Sequence, residues 1–472
     1  MRRGSRPTID QLVAATFTLV GARLGARPIG DNSAFTHLRT GIDMVRDGLV
    51  PAIPRTDPYS FTAFGEPWVV QSWLASFGVG WTDRLGGHGA VIALSAITMG
   101  GLAWLIATLA RTGRPASTVV AAFSAIAIGL PFWAPRPLLV GLLCFGLTIL
   151  IVERRHSPLW LLPVVWVWVN SHGSFPLGLL WIGATCVGAW IDNRRAAGDG
   201  ANVPWRYAGA FVAGLALGAI NPLGPRLLTF AGSVFTKREV FGNVVEWKAV
   251  DFQSFEGGVC LVGLVVAFVV VARHRIGWRY LLPAAGFLGM GLVAQRNMAS
   301  LGIVMAPTLA AALRVRSQAP SEAPPRLNSV IAGVLVLVTA VFVVGGAVGP
   351  TLATGRYPVR SINWLEAQGG FDPPHRVVTP DSVGNYLELQ LHRPGLVFID
   401  DRVDMYPASV SEDYQALLDG GNPALQVLAR WRADTVLWHS RTPLVDLLLA
   451  KGDWRVAHRE RGWAVLERIT PE

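Results

Sequence analysis

From Ser329 to Val348 the chain runs without a single charged residue. A helix needs about 20 apolar residues to cross a hydrocarbon core of about 30 Å. Because lipid offers a backbone no hydrogen-bond partners, a run of this kind is committed to helix. The stretch Val259 to Val271 is likewise free of charge. Only 15% of the 472 residues are charged and 51% are hydrophobic, whereas soluble domains carry about 25% charged residues. These features predict a polytopic α-helical membrane protein.

Eleven spanning helices are expected, near residues 10–28, 88–110, 117–132, 138–152, 158–171, 176–191, 206–221, 257–273, 279–295, 298–313 and 328–348. The first follows Arg2, Arg3 and Arg6 and includes Arg23 and Arg27, with no convincing small-residue cleavage site, so it reads as a retained anchor. Alternate loops carry Arg111/Arg114, Arg154/Arg155, Arg194/Arg195, Arg273/Arg275/Arg279 and Arg314/Arg316/Arg326. The positive-inside rule makes these loops and the N-terminus cytoplasmic. The expected location is a bacterial inner membrane, with the C-terminal segment outside. Lysine occurs at three positions against 38 arginines, a bias expected of a GC-rich bacterial genome.

The opposite loops are richer in polar chemistry. Residues 29–87 form a long one, with a helical pattern at Ser33–Asp47 and an aromatic stretch from Trp68 to Trp81 suited to the membrane interface. Residues 222–256 form another, including Asn243 and Glu246-Trp247. Shorter loops hold Trp133-Ala-Pro-Arg136-Pro137, Asn170-Ser-His172-Gly173 and Gln295-Arg296-Asn297, and Gln318–Leu327 reads as a linker.

The expected division is a membrane domain, residues 1–349, and a small extracytoplasmic α/β domain, residues 350–472. The net charge of +10 is split between them as +13 and −3. In the tail, apolar runs at Arg376–Thr379, Leu396–Ile399 and Asp434–Trp438 suit buried strands. Helical patterns at Tyr386–Leu391, Tyr414–Leu418 and Leu444–Leu449 fall among them, and a closing hairpin turns at Glu460-Arg461-Gly462. This alternation predicts a mainly parallel sheet. Cys144, Cys186 and Cys260 lie in apolar segments and form neither a disulfide framework nor a zinc motif. Arginines scattered through short loops give no nucleic-acid footprint. No phosphate-binding glycine loop or serine-hydrolase elbow is present.

Asp31, emerging from the first span, suits a general base or metal ligand at the lipid–water boundary. It equally suits the cap of a helix starting near Ser33. His172 is placed to bind phosphate or move a proton, or to satisfy a helix end. Arg136 and Arg296 can hold a phosphate bidentately, or snorkel, or pair with Asp57, Glu66 or Glu246. Asp400-Asp401-Arg402 follows an expected strand, where α/β sheets bind ligands, and an ion-pair network is the alternative.

Several of these segments resemble the GT-C superfamily of integral-membrane glycosyltransferases, and more closely a set of bacterial multi-spanning relatives. The resemblance rests on Asp31 with His37-Leu38, the stretch Pro54 to Leu74 containing Asp57, and Asn170-x-His172-Gly173. It also rests on Asn221-Pro222 with Glu246-Trp247, and on Ile399 to Tyr406. It implies transfer of a sugar from a polyprenyl-phosphate carrier to an extracytoplasmic glycan, lipid or protein of the cell envelope. The family's acidic residue, acting as base or metal holder, maps onto Asp31; side and charge add Arg136, His172 and Arg296 as candidates for the lipid-linked phosphate, and His37, Asp57, Asn170 and Glu246 complete the candidate substrate-binding set. Many members place two acids together to hold Mg or Mn. Here Asn32 follows Asp31, so Asp57 is the nearest second acid for a metal. Two other readings remain: a lipid or glycan transporter or flippase, and a non-catalytic envelope assembly or binding protein with a GT-C-like body. Transporters place ionisable groups near the bilayer midplane; here they collect at helix ends.

Overall fold

The computed structural model describes residues 6–46, 52–195, 203–236, 245–314 and 325–469. Arg2, Arg3, Arg316, Asn243 and most of the Gln318–Leu327 linker lie outside the described residues. The helices, in chain order, begin with α1 (Ile9–Gly25), α2 (Asn32–Val45), α3 (Trp73–Leu109), α4 (Pro115–Gly129) and α5 (Leu138–Glu153). They continue with α6 (Leu161–Ser171), α7 (Pro176–Arg195), α8 (Trp205–Gly218), α9 (Arg226–Thr236) and α10 (Phe255–Arg273). The last of the bundle are α11 (Trp278–Val293), α12 (Met298–Leu313) and α13 (Arg326–Val348). Each of the eleven expected spans coincides with one of these helices. By length and composition, α3, α4 with the turn that follows it, α10 and α13 are able to cross a membrane.

Local chemistry sets the helix starts. Thr8 and Gln11 form a capping box on α1, Ser254 caps α10, and Pro115 opens α4. The aromatic stretch around Trp73–Trp81 is the first part of α3, which breaks at Gly86 and Gly87 before the spanning part begins; Gly87 has φ 64°. Glycines let backbones touch where helices cross. A Cβ on Gly25 would lie 2.5 Å from the Ser95 carbonyl oxygen, and one on Gly80 2.1 Å from that of Gly41. The second crossing seats α2 against the first half of α3. Helix α12 is buried nearly all round at the centre, whereas α13 buries only Asn328 and presents Val334, Leu337 and Val341 outward. The three cysteines are buried and free.

The tail comprises α14 (Val359–Ala367), α15 (Asp381–Leu391), α16 (Ala408–Asp419), α17 (Asn422–Arg430) and α18 (Pro443–Lys451), with β1 (Val377–Val378), β2 (Thr435–His439), β3 (Trp454–Glu460) and β4 (Trp463–Arg468). The sheet order is β1-β2-β4-β3, with β1–β2 parallel and the other two pairs antiparallel. The expectation of a mainly parallel sheet is therefore corrected: the closing hairpin supplies both antiparallel pairs. The expected strand Leu396–Ile399 is buried but joins no ladder of the sheet. Its backbone pairs with the 29–87 loop instead, Leu396 N donating to Tyr59 O at 2.7 Å and Phe61 N to Val397 O at 2.9 Å. One hydrophobic cluster joins Phe35 and Leu38 of α2 to Leu365, Tyr386, Leu387 and Val397 of the tail. The tail and the long loop thus share a core.

Candidate functional site

Asp31 occupies the N-cap of α2, its carboxylate accepting from Ala34 N at 3.1 Å. The capping role is thus real, and it fixes the carboxylate at the end of α1. Burial raises the Asp31 pKa, and the charge of Arg136 opposes that rise. Arg136, in the turn between α4 and α5, forms an ion pair with Glu246. Burial works against its positive charge, but Asp31, Glu246 and Asp401 together hold it protonated and raise its pKa.

Arg296 lies in the turn between α11 and α12, its guanidinium stacked over Trp247 with 4.7 Å to the ring centroid. It forms no ion pair among the described residues. Burial lowers its pKa, and the field of Arg136 adds to this while Glu246 opposes it. His172 ends α6. Ser174 N donates to its Nδ1 at 3.2 Å, which places the ring proton on Nε2. Burial, then the fields of Arg296, Arg136 and His37, push its pKa down to about 3. His37 on α2 lies 2.9 Å from Ser76 Oγ, and burial with the Arg136 field pushes it down to about 4. Both imidazoles are therefore neutral at physiological pH.

Asp31, His37, His172, Glu246 and Arg296 thus each lie within electrostatic reach of Arg136, delivered by turns from distant parts of the chain to one end of the helix bundle. Two expected site residues are engaged elsewhere. Asn170 spends its amide within the fold, accepting from Trp73 Nε1 at 2.9 Å and donating to Trp166 O at 2.8 Å. Asp57 is buried and pairs with Arg402 of the tail at 2.7 Å, while accepting from the backbone N–H groups of Tyr59 and Ser60. Arg402 also holds Asp400, with Nε–Oδ1 at 2.9 Å, and lies over the rings of Trp68 and Tyr59.

The residue that sequence reasoning left out of the site is Asp401. It accepts hydrogen bonds from Thr36 Oγ1 at 3.2 Å and from Asn385, beside the first turn of α2, and its field reaches Arg136. Burial, followed by the charge of Asp400, pushes its pKa up to about 6. The signal available in sequence was the Asp400-Asp401 doublet, whose two carboxylates part: one to Arg402, one to α2.

The donor set does not fit the divalent metal that the family resemblance implies. Asp57 is taken by Arg402, and Arg136 sets a guanidinium against Asp31 and Glu246. No group of three or more His, Cys, Asp or Glu side chains placed to hold a metal occurs among the described residues.

An apolar cavity of about 200 Å³ lies among α10, α11 and α12, lined by residues such as Phe268, Leu281, Leu301 and Met305. Leu301 lies in the first turn of α12, which follows directly on the turn that carries Arg296.

No protein-family model matches the chain, and no curated protein matches it. Among solved structures it is similar to the archaeal oligosaccharyltransferase AglB from Archaeoglobus fulgidus, in complex with an inhibitory peptide and a dolichol-phosphate. The identity is 12%, over 93% of this chain and 72% of that one, with a TM-score of 0.51. The likeness is one of fold, and it supports the GT-C-like architecture that the sequence motifs anticipate.

Proposed function

We propose that the protein transfers a sugar from a polyprenyl-phosphate carrier to an acceptor hydroxyl or amide at the outer face of a bacterial inner membrane. The carrying observation is the convergence of Asp31, Arg136, His172, Glu246 and Arg296 at one end of the bundle. A GT-C-like fold, and a structural neighbour solved with dolichol-phosphate, support a lipid-linked donor. The alternating basic loops support a topology with this end outside, the N-terminus cytoplasmic, eleven crossings, and a tail domain of residues 350–472 on the outer side.

Arg296 has no carboxylate partner among the described residues and is held by Trp247. It takes the donor phosphate, while the prenyl chain enters the apolar cavity that begins at Leu301. Asp31 accepts the proton of the acceptor O–H or N–H as that heteroatom bonds to the anomeric carbon. The bond from that carbon to the phosphate oxygen breaks, and its electron pair leaves with the polyprenyl phosphate. A raised pKa makes Asp31 a stronger base than an ordinary carboxylate. Arg136 and Arg296 stabilise the departing charge, and neutral His172 offers Nε2–H to the same anion. The charge of Asp401, from the tail, helps keep Arg136 cationic.

Asp31→Asn, reconstituted in proteoliposomes with a polyprenyl-phosphate sugar and a mixture of envelope acceptors, should lower transfer about 10²–10⁴-fold, the range for loss of a general base. Transfer at the wild-type rate would remove Asp31 from the chemistry.

A further inference from the structure

The C-terminal end of α1, which leads to Asp31, crosses the C-terminal end of α13. A Cβ on Gly346 would lie 2.6 Å from Ala26 O, so the helices touch backbone to backbone. Just beyond, Ile29 N donates to Thr351 O at 2.9 Å and Ala353 N to Ile29 O at 2.8 Å, which ties the two exits together. Beside this crossing opens a cavity of about 440 Å³ bounded by Arg23, Arg27, Phe342, Gly345 and Gly349.

Three observations give this cavity a ligand. Arg23, in the last turn of α1, and Arg27, just past its end, both line this cavity, both are exposed, and neither pairs with a carboxylate among the described residues. The Arg23 guanidinium is held over the Phe342 ring, 5.3 Å from its centroid, so it points into the cavity rather than away along the helix. The wall opposite is glycine, and the rest of α13 is an exposed apolar surface, with Val334 53% and Val341 60% exposed. A lone arginine at a helix end is adequately explained by snorkelling. Two guanidiniums over a recess that continues into a bare apolar helix face match an anionic head with hydrocarbon chains attached.

We infer that this cavity binds an anionic glycerophospholipid of the outer leaflet, its phosphodiester between Arg23 and Arg27 and its acyl chains along α13. The site draws on α1 and α13, whereas the phosphate site proposed at Arg296 draws on the turn between α11 and α12. It rests on the glycine-lined crossing, so it is built into the fold.

The test uses the full-length protein in nanodiscs of phosphatidylcholine containing spin-labelled phosphatidylglycerol, with the motionally restricted fraction read by electron paramagnetic resonance. Wild type should retain phosphatidylglycerol over spin-labelled phosphatidylcholine. Arg23→Gln with Arg27→Gln should lose at least threefold of that preference, whereas Arg111→Gln with Arg114→Gln should keep it. A Cβ at Gly345 meets nothing within 4 Å, so Gly345→Leu fills the recess while keeping both charges, and it should lose the preference equally. A wild type without preference, or a Gly345→Leu variant that keeps it, overturns the inference. So does displacement of the label by polyprenyl phosphate but not by unlabelled phosphatidylglycerol.

Discussion

Removal of the Arg402 side chain, as Arg402→Met, tests the joint between the long loop and the tail. Asp57 and Asp400 are buried to 1% and 0% exposure, and Arg402 to 6%. Arg402 contacts Asp57 at 2.7 Å and Asp400 at 2.9 Å, and covers the rings of Trp68 and Tyr59. Deleting one partner of a buried ion pair costs about 3–5 kcal/mol, because the other charge is left uncompensated. Here two carboxylates lose the same cation. Asp57 keeps its bonds from the backbone N–H groups of Tyr59 and Ser60, and Asp400 keeps the Tyr406 hydroxyl at 2.8 Å. These offset part of the second loss, so the total stays within about 3–5 kcal/mol. At about 1.4 kcal/mol per tenfold, local opening of the joint should rise about 10²- to 4 × 10³-fold. Hydrogen exchange in nanodiscs reads it directly at the amides of Phe61 and Leu396, which donate across the joint. Arg402→Lys should recover part of the protection, since it restores charge without the planar fork. Exchange within threefold of wild type in Arg402→Met would refute the ion pair as the joint's anchor.

Three further substitutions read other parts of the molecule. Burial, reinforced by Asp400, raises the Glu388 pKa well above 4.5, so the folded state binds this proton more tightly than the unfolded state does. Its contribution is fully present below pH 4.5 and is lost as pH rises, so Glu388→Gln should leave thermal stability at pH 7 equal or higher and flatten its fall between pH 5 and 7; a large loss at pH 7 would contradict this. Arg296→Lys should lower kcat/KM about tenfold and Arg296→Ala about a hundredfold, through both KM and kcat, because Arg296 grips the donor phosphate and stabilises its departing charge; an unchanged kcat would remove the second role. Asp401→Asn should remove the inflection near pH 6 from the transfer profile and lower the plateau about tenfold, and an unchanged inflection would assign it to another group.

Much of the fold was legible because its period and solvent are simple. Uncharged runs and alternating basic loops located a helix at each expected span, and the tail's sheet was located by its apolar runs. What failed was partner choice. Leu396–Ile399 is as buried as a sheet strand should be, yet its hydrogen bonds go to Tyr59 and Phe61. Apolarity reports burial, and it does not report which chain segment satisfies the backbone. The break in α3 at Gly86-Gly87 was similarly hidden, since two glycines inside an apolar pattern allow either a close crossing or a kink.

The candidate site divides along the same line. Side and charge were enough to bring Arg136, His172 and Arg296 together with Asp31, because helix ends on one side of a bundle are neighbours. The fate of Asp57 was not readable, because its cation, Arg402, comes from the far end of the chain. That pairing changes the meaning of the motifs around both residues. The Pro54–Leu74 and Ile399–Tyr406 segments, separate in sequence, are the two halves of one joint, and the joint sets Asp401 beside the first turn of α2. Asp31 caps that same turn. A carboxylate at a helix cap is no better a base than any other unless its surroundings raise its pKa. Burial beneath the tail and the loops does so here, while Arg136 keeps the pocket cationic. The tail is thus part of the site's electrostatics, and loosening the joint at Arg402 should lower transfer even though Arg402 touches neither substrate.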